Sequence, residues 1–131
     1  MREIQVQTER KTQLLEITAQ VRDALGDAGG GAALVYVPHT TAGVIINEKI
    51  DPALVDDFEM ALEKIVADDW SWRHHDADGP NAPSHVRASV LGPQVLVPMR
   101  DGDLALGTYQ GIFFCELDGP RSRKVYVSTL A

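Results

Sequence analysis

The chain holds one cysteine, Cys115, in 131 residues. A lone thiol excludes an internal disulfide and fits a reducing compartment. No apolar run approaches the roughly 20 residues that a helix needs to cross a bilayer, so no membrane span is expected. The opening MREIQVQTERK carries charge without an apolar segment behind it, which argues against a secretory signal and for the cytoplasm. Basic residues are in deficit: 12 Lys and Arg stand against 19 Asp and Glu, a net charge of −7. Such a field repels a polyanion, and neither nucleic acid nor a membrane is an expected partner. One local exception, Arg121, Arg123 and Lys124 within a short stretch, suits a small anion such as a phosphate ester. Local zinc signatures such as HExxH or paired CxxC are missing. Internal repeats, linkers and low-complexity tracts are missing too, so one undivided domain over 1–131 is expected.

The residues that are there pattern as strands and helices in roughly ordinary proportion for a globular protein. IQVQT (4–8) alternates apolar and polar, and KTQLLEIT (11–18) follows after a short polar turn, which predicts an N-terminal hairpin. Thr18 is placed to cap a short helix with Val21 and Leu25 on one face, stopped by Gly29 to Gly31. AALVYVP (32–38) is nearly continuous in apolar residues, as an interior strand would be, and VIIN (44–47) resumes strand character. The strongest helix is DPALVDDFEMALEKIVADD (51–69), with Asp51 as N-cap, Pro52 at the first helical position and an apolar stripe of Val55, Phe58, Leu62, Ile65 and Val66. Ser84 is placed to cap HVRASVL, closed by Gly92, and QVLVP, GIFFCEL and VYVSTL read as further strands joined by turns at DGD and DGPR. About seven strands and two or three helices with little βαβ alternation predict an α+β fold, largely antiparallel, in a sandwich or barrel-like sheet.

Three of the four histidines, His74, His75 and His85, fall within 71–86, a stretch broken by Asp76, Asp78, Gly79, Pro80, Asn81 and Pro83. This is either a hydrophilic surface loop or a set of ligands. Three imidazoles with nearby carboxylates suit zinc or another divalent ion. Adjacent residues in extended chain point oppositely, so one of His74 and His75 is a bystander. His39, followed by Thr40, Thr41, Ala42 and Gly43, is either a strand terminus satisfied by backbone or part of a polar cluster at a strand end. Glu48 after the VII run is a solvated loop carboxylate, a general base, or a group that orients a histidine. Cys115 reads as a buried structural thiol rather than a nucleophile. Glu116 follows IFFC and must face outward or be paired, with Arg121 the candidate partner.

PHTTAGVIINE, WRHHDADGPNAPSHVRASVLGP and VPMRDGDLALGTYQGIFFCELDGPRSRKV resemble, in order and spacing, the YjbQ family of small cytoplasmic proteins, described as secondary thiamine-phosphate synthases. The family's HTSAG matches His39 to Gly43 with Thr41 for serine, and its INE matches Ile46, Asn47 and Glu48. Trp72, Arg73 and His74 match its aromatic-Arg-His stretch. Asn81 and His85 match its N-x-x-x-H, Leu106 to Gln110 its LGTWQ with Tyr109 for tryptophan, and Glu116 to Arg121 its E-x-D-G-P-R. The resemblance implies a homotrimer and a pocket in which His39, His74 and His85 hold a divalent ion, zinc or magnesium. It also implies catalytic roles for Asn47, Glu48, Asn81, Gln110 and Glu116. A small phosphorylated metabolite would be bound by Thr40, Thr41, Arg87 and Arg121, with Arg121 as phosphate clamp. The implied reaction joins a pyrimidine pyrophosphate to a thiazole phosphate with release of pyrophosphate. Two alternatives share the pocket: a metal-dependent phosphohydrolase of a small metabolite, and a non-catalytic trimeric metabolite-binding protein.

Overall fold

A strand that is apolar at every position, as Ile112-Phe113-Phe114-Cys115 is, needs apolar cover on both faces. The computed structural model, which describes residues 1–75 and 79–131, supplies that cover with a second sheet on one side and helices on the other. In chain order the elements are β1 (Arg2–Gln7), β2 (Gln13–Glu16), α1 (Thr18–Leu25), β3 (Ala32–Tyr36), β4 (Ala42–Glu48), α2 (Pro52–Ile65), α3 (Ala82–Leu91), β5 (Gln94–Arg100), β6 (Asp103–Leu104), β7 (Gln110–Glu116) and β8 (Ser122–Leu130). They build a five-stranded sheet in the order β1-β8-β3-β5-β6 and a three-stranded sheet β2-β7-β4. The pairings are antiparallel, and the fold is α+β.

Successive side chains on a strand face opposite ways, and β7 uses both. Ile112 and Phe114 enter the larger core, where they meet Val44 of β4, Val35, Val97 and Val125 of the five-stranded sheet, and Val21 and Leu25 of α1. Phe113 and Cys115 enter the smaller core with Leu14, Leu62 of α2 and Ala88 of α3. Full burial of each such side chain contributes roughly 1.5–3 kcal/mol. Cys115 is wholly buried, as expected of a structural thiol, and burial pushes its pKa far up.

Several expectations change. The N-terminal strands do not form a hairpin: β1 pairs with β8 and β2 with β7, in different sheets. The physical reason lies in the apolar residues of the two strands. Ile4 and Val6 belong to the larger core alone, whereas Leu14 serves the smaller one, so each strand goes to the sheet that covers its own face. Thr18 is the first residue of α1, whose N-cap is Ile17 without a side-chain cap. The Thr18 hydroxyl instead accepts the Ile112 N–H at 2.9 Å. The helix stops at Gly26, whose φ of 57° is left-handed, ahead of the three glycines. Asp51 does cap α2, accepting the Ala53 N–H at 2.9 Å, with Pro52 behind it. That helix ends at Ile65, which is exposed, and its buried face holds Glu59 together with Leu62. Asn81, not Ser84, is the N-cap of α3; the Ser84 hydroxyl, inside the helix, donates to the Leu117 carbonyl at 2.6 Å. Gly92 closes α3 as expected. Asp76 and Asp78 lie outside the described residues.

Candidate functional site

His39 sits in the short link between β3 and β4, and the end of β8 nearest to it decides its chemistry. The backbone N–H of Lys124 donates to His39 Nε2 at 2.9 Å. Burial lowers the His39 pKa, and the Arg123 charge lowers it further. A neutral imidazole whose Nε2 accepts must carry its proton on Nδ1. In this arrangement His39 is a hydrogen-bond donor, and the Nε2 lone pair is not available to a metal. The backbone thus does engage the ring, through an N–H at Nε2.

His39, Thr40 and His85 line one open depression of about 310 Å³, floored by Ala42 and Ala88. Helix α3 brings His85 there on the face it shares with Ala88 and Ser89, three and four residues on. His85 Nε2, and Asn81 Oδ1 at the helix N-cap, are buried without a hydrogen-bond partner among the described residues. Asn81 Nδ2 donates to Asp118 Oδ2 at 3.0 Å. His74, though exposed, lays its ring edge-on to His85, with centroids 5.0 Å apart; His75 is exposed as well. The loop thus delivers one of its adjacent histidines to α3. Among the described residues, no group of three or more His, Cys, Asp or Glu side chains is placed to hold a metal ion. His74 and His85 are the two imidazoles in contact here, one short of the three protein ligands that an open zinc site usually takes.

Glu116 is completely buried, and its partner is Arg123 rather than Arg121. Arg123 Nε donates to Oε2 at 2.8 Å and its Nη2 donates to Oε1. Thr8 Oγ1 adds a donor at 2.8 Å, and the Leu117 and Asp118 N–H groups add two at 3.0 Å. Five donors saturate the roughly four lone-pair sites of a carboxylate, so Glu116 is held as a fixed anion. Register explains the choice of arginine. Arg123, Val125 and Val127 alternate on the inward face of β8, whereas Arg121 lies before the strand and donates to Asp118 Oδ2 at 2.9 Å. Arg123 Nη2 also donates to Thr41 Oγ1 at 2.8 Å, tying the strand end that carries His39 to the ion pair.

The other expected site residues are placed elsewhere. Arg87 is buried, and its Nη2 donates to the carbonyls of Glu63 and Val66 and to Asp68 Oδ1 at 3.2 Å. It ties α3 to the end of α2. Glu48 pairs in register with Gln110, and Asn47 with Gly111, at the opposite end of β4 from Ala42 and Glu116. At ~3.4 Å per residue these two ends are about 20 Å apart, so within one chain this group does not meet the histidines. Glu48 Oε2 accepts the Asp51 N–H at 3.2 Å, and Gln110 Oε1 accepts the Gly107 N–H at 2.8 Å. Sequence reasoning named Arg123 only within a basic stretch suited to a small anion and missed it as the partner of Glu116, although the alternation of 123, 125 and 127 carried the signal: an arginine on the buried face of a strand calls for a carboxylate partner.

Comparison with known proteins matches residues 2–131 to the family model described as UPF0047 protein YjbQ-like. The UPF0047 protein MJ1081 of Methanocaldococcus jannaschii is 37% identical over 96% of this chain and 91% of its own. The UPF0047 protein YugU of Bacillus subtilis is 36% identical over 99% and 98%. A solved structure of an uncharacterised YjbQ/UPF0047 protein from Clostridium acetobutylicum superposes with a TM-score of 0.90 at 38% identity, covering 98% of each chain. The hypothetical protein APE1520 of Aeropyrum pernix gives 0.90 at 38%, covering 98% and 96%.

Proposed function

The chain belongs to the YjbQ-like UPF0047 family, and from that premise we propose that it is a cytoplasmic transferase of the thiamine-phosphate synthase type. It acts on small phosphorylated metabolites at the depression between His39 and His85. The observation that carries this reading is the buried, unpartnered His85 Nε2 beside His74 and next to His39. A buried polar atom left without a partner costs about 1–3 kcal/mol, and a ligand that engages it recovers that cost.

In the proposed reaction the thiazole nitrogen attacks the pyrimidine methyl carbon, the carbon–oxygen bond to pyrophosphate breaks, and thiamine phosphate and pyrophosphate are released. Little proton transfer is required; alignment and charge neutralisation dominate. His74 and His85 would hold a divalent cation, zinc being the better match to imidazole. Bound there, the cation supplies neutralisation of the charge that develops on the leaving group. His39 donates through Nδ1, and the Asn81 carbonyl accepts the His85 N–H at 3.3 Å in the first turn of α3. Each trimer, the assembly the reading implies, would present three such depressions; light scattering that returns a monomer would contradict it.

Two measurements test the proposal. Elemental mass spectrometry should find a divalent metal on the wild type that falls at least tenfold on His85→Ala and His74→Ala. Pyrophosphate release should require both thiamine precursors together. Phosphate release from a single substrate would replace the synthase with a hydrolase, and stabilisation by precursors without turnover would leave a binding protein.

A further inference from the structure

A second depression, of about 550 Å³, shares His39 and Thr40 with the first and is lined further by Tyr36, Thr41 and Arg123. We propose that Arg123, with His39 and Thr40, forms an anion subsite there that takes a phosphate or pyrophosphate group. The subsite deepens the proposed function and rests on it for the identity of the phosphate's owner, but not for the presence of the site itself.

Arg123 is 5% exposed in its side chain. Glu116 engages Nε and Nη2 along one edge of the guanidinium, and Thr41 takes the remaining reach of Nη2. Nη1 is left over: it has no hydrogen-bond partner among the described residues, and it is not among the unpartnered atoms sealed from solvent. A guanidinium locked on one edge by a buried carboxylate holds its other edge in a fixed direction, which removes most of the ordering cost of binding an oxyanion. His39 stands at the same wall with its donor on Nδ1, fixed by the Lys124 N–H at Nε2. The Thr40 hydroxyl, on an exposed residue, completes the set. Glu116 balances the Arg123 charge, so recognition depends on directed donors more than on field strength. The two depressions therefore adjoin at His39 and Thr40. Arg121, which spends Nε and Nη2 on Asp118, lines neither.

The test uses the full chain in excess chelator with inorganic pyrophosphate as probe, so that metal binding plays no part. Titration calorimetry should show saturable binding to the wild type, weakened roughly ten- to a hundredfold in Arg123→Lys, the range expected for losing a hydrogen bond to a charged group. Because Arg123→Lys also disturbs the buried pair, nitrogen-detected NMR of the wild type reads the same contact without a variant. Pyrophosphate should shift the Arg123 Nε–H and His39 ring signals and leave Arg121 in place. No binding, equal affinity in a folded Arg123→Lys, or shifts confined to Arg121 would each overturn the subsite. Loss of metal dependence at His74 and His85 with this binding intact would sink the transferase reading alone.

Discussion

Glu59 shows how one side chain can matter through a single backbone atom. It is buried on α2, accepts the Leu14 N–H at 2.8 Å, and pairs with Arg10 at 2.7 Å. Arg10 is 56% exposed in its side chain, so solvent screens the ion pair. Arg10→Ala should therefore cost less than about 1 kcal/mol, while Glu59→Ala strands a buried N–H and should cost about 1–3 kcal/mol; urea unfolding of both variants measures the difference. His39 makes a pH prediction. Its folded pKa lies below the ordinary value of about 6.5, so the unfolded chain binds its proton more readily. The stabilisation is complete above the ordinary value and is lost as pH falls through the folded one. The wild type should lose stability on acidification through this window, and His39→Gln should flatten that slope; unfolding midpoints between pH 7 and 5 would show it. At this scale the sequence was informative about which residue types matter and silent on which nitrogen is engaged, because the Lys124 N–H that fixes His39 lies 85 positions away.

Elements were legible where local patterns and tertiary packing agree. Asp51, Pro52 and the Leu62 stripe announce α2, and Gly92 announces the end of α3. The patterns misled where packing overruled proximity: β1 and β2 adjoin in sequence yet serve different sheets, and Arg121 is nearer to Glu116 than Arg123 but faces the wrong way. The contact of β4 with α3 explains a small residue that the sequence alone leaves unexplained. A Cβ on Gly43 would come within 2.8 Å of the Gly92 carbonyl and 3.3 Å of the Leu91 side chain. Gly43→Ala should push α3 outward, at about 1–3 kcal/mol, and carry His85 with it. A lower denaturation midpoint together with changed His85 ring shifts in NMR is the expected pair of results. Removing the cap with Asp51→Ala should cost about 1 kcal/mol and leave those ring shifts alone.

Over the whole molecule, one strand joins two cores. Phe114 is fully buried in the larger core, and Phe113 and Cys115 belong to the smaller. Phe114→Ala should cost about 3–5 kcal/mol, a large share of the roughly 5–15 kcal/mol that holds a domain together. Both cores should still melt in one transition, and coincident near- and far-ultraviolet circular dichroism would verify that. The strand β7 is also bonded to a neighbour on each edge, β2 and β4. Transferred to heavy water, the native protein should surrender the amide protons of Phe113 to Cys115 last of all, on the timescale of global opening, long after those around His74 have turned to deuterium.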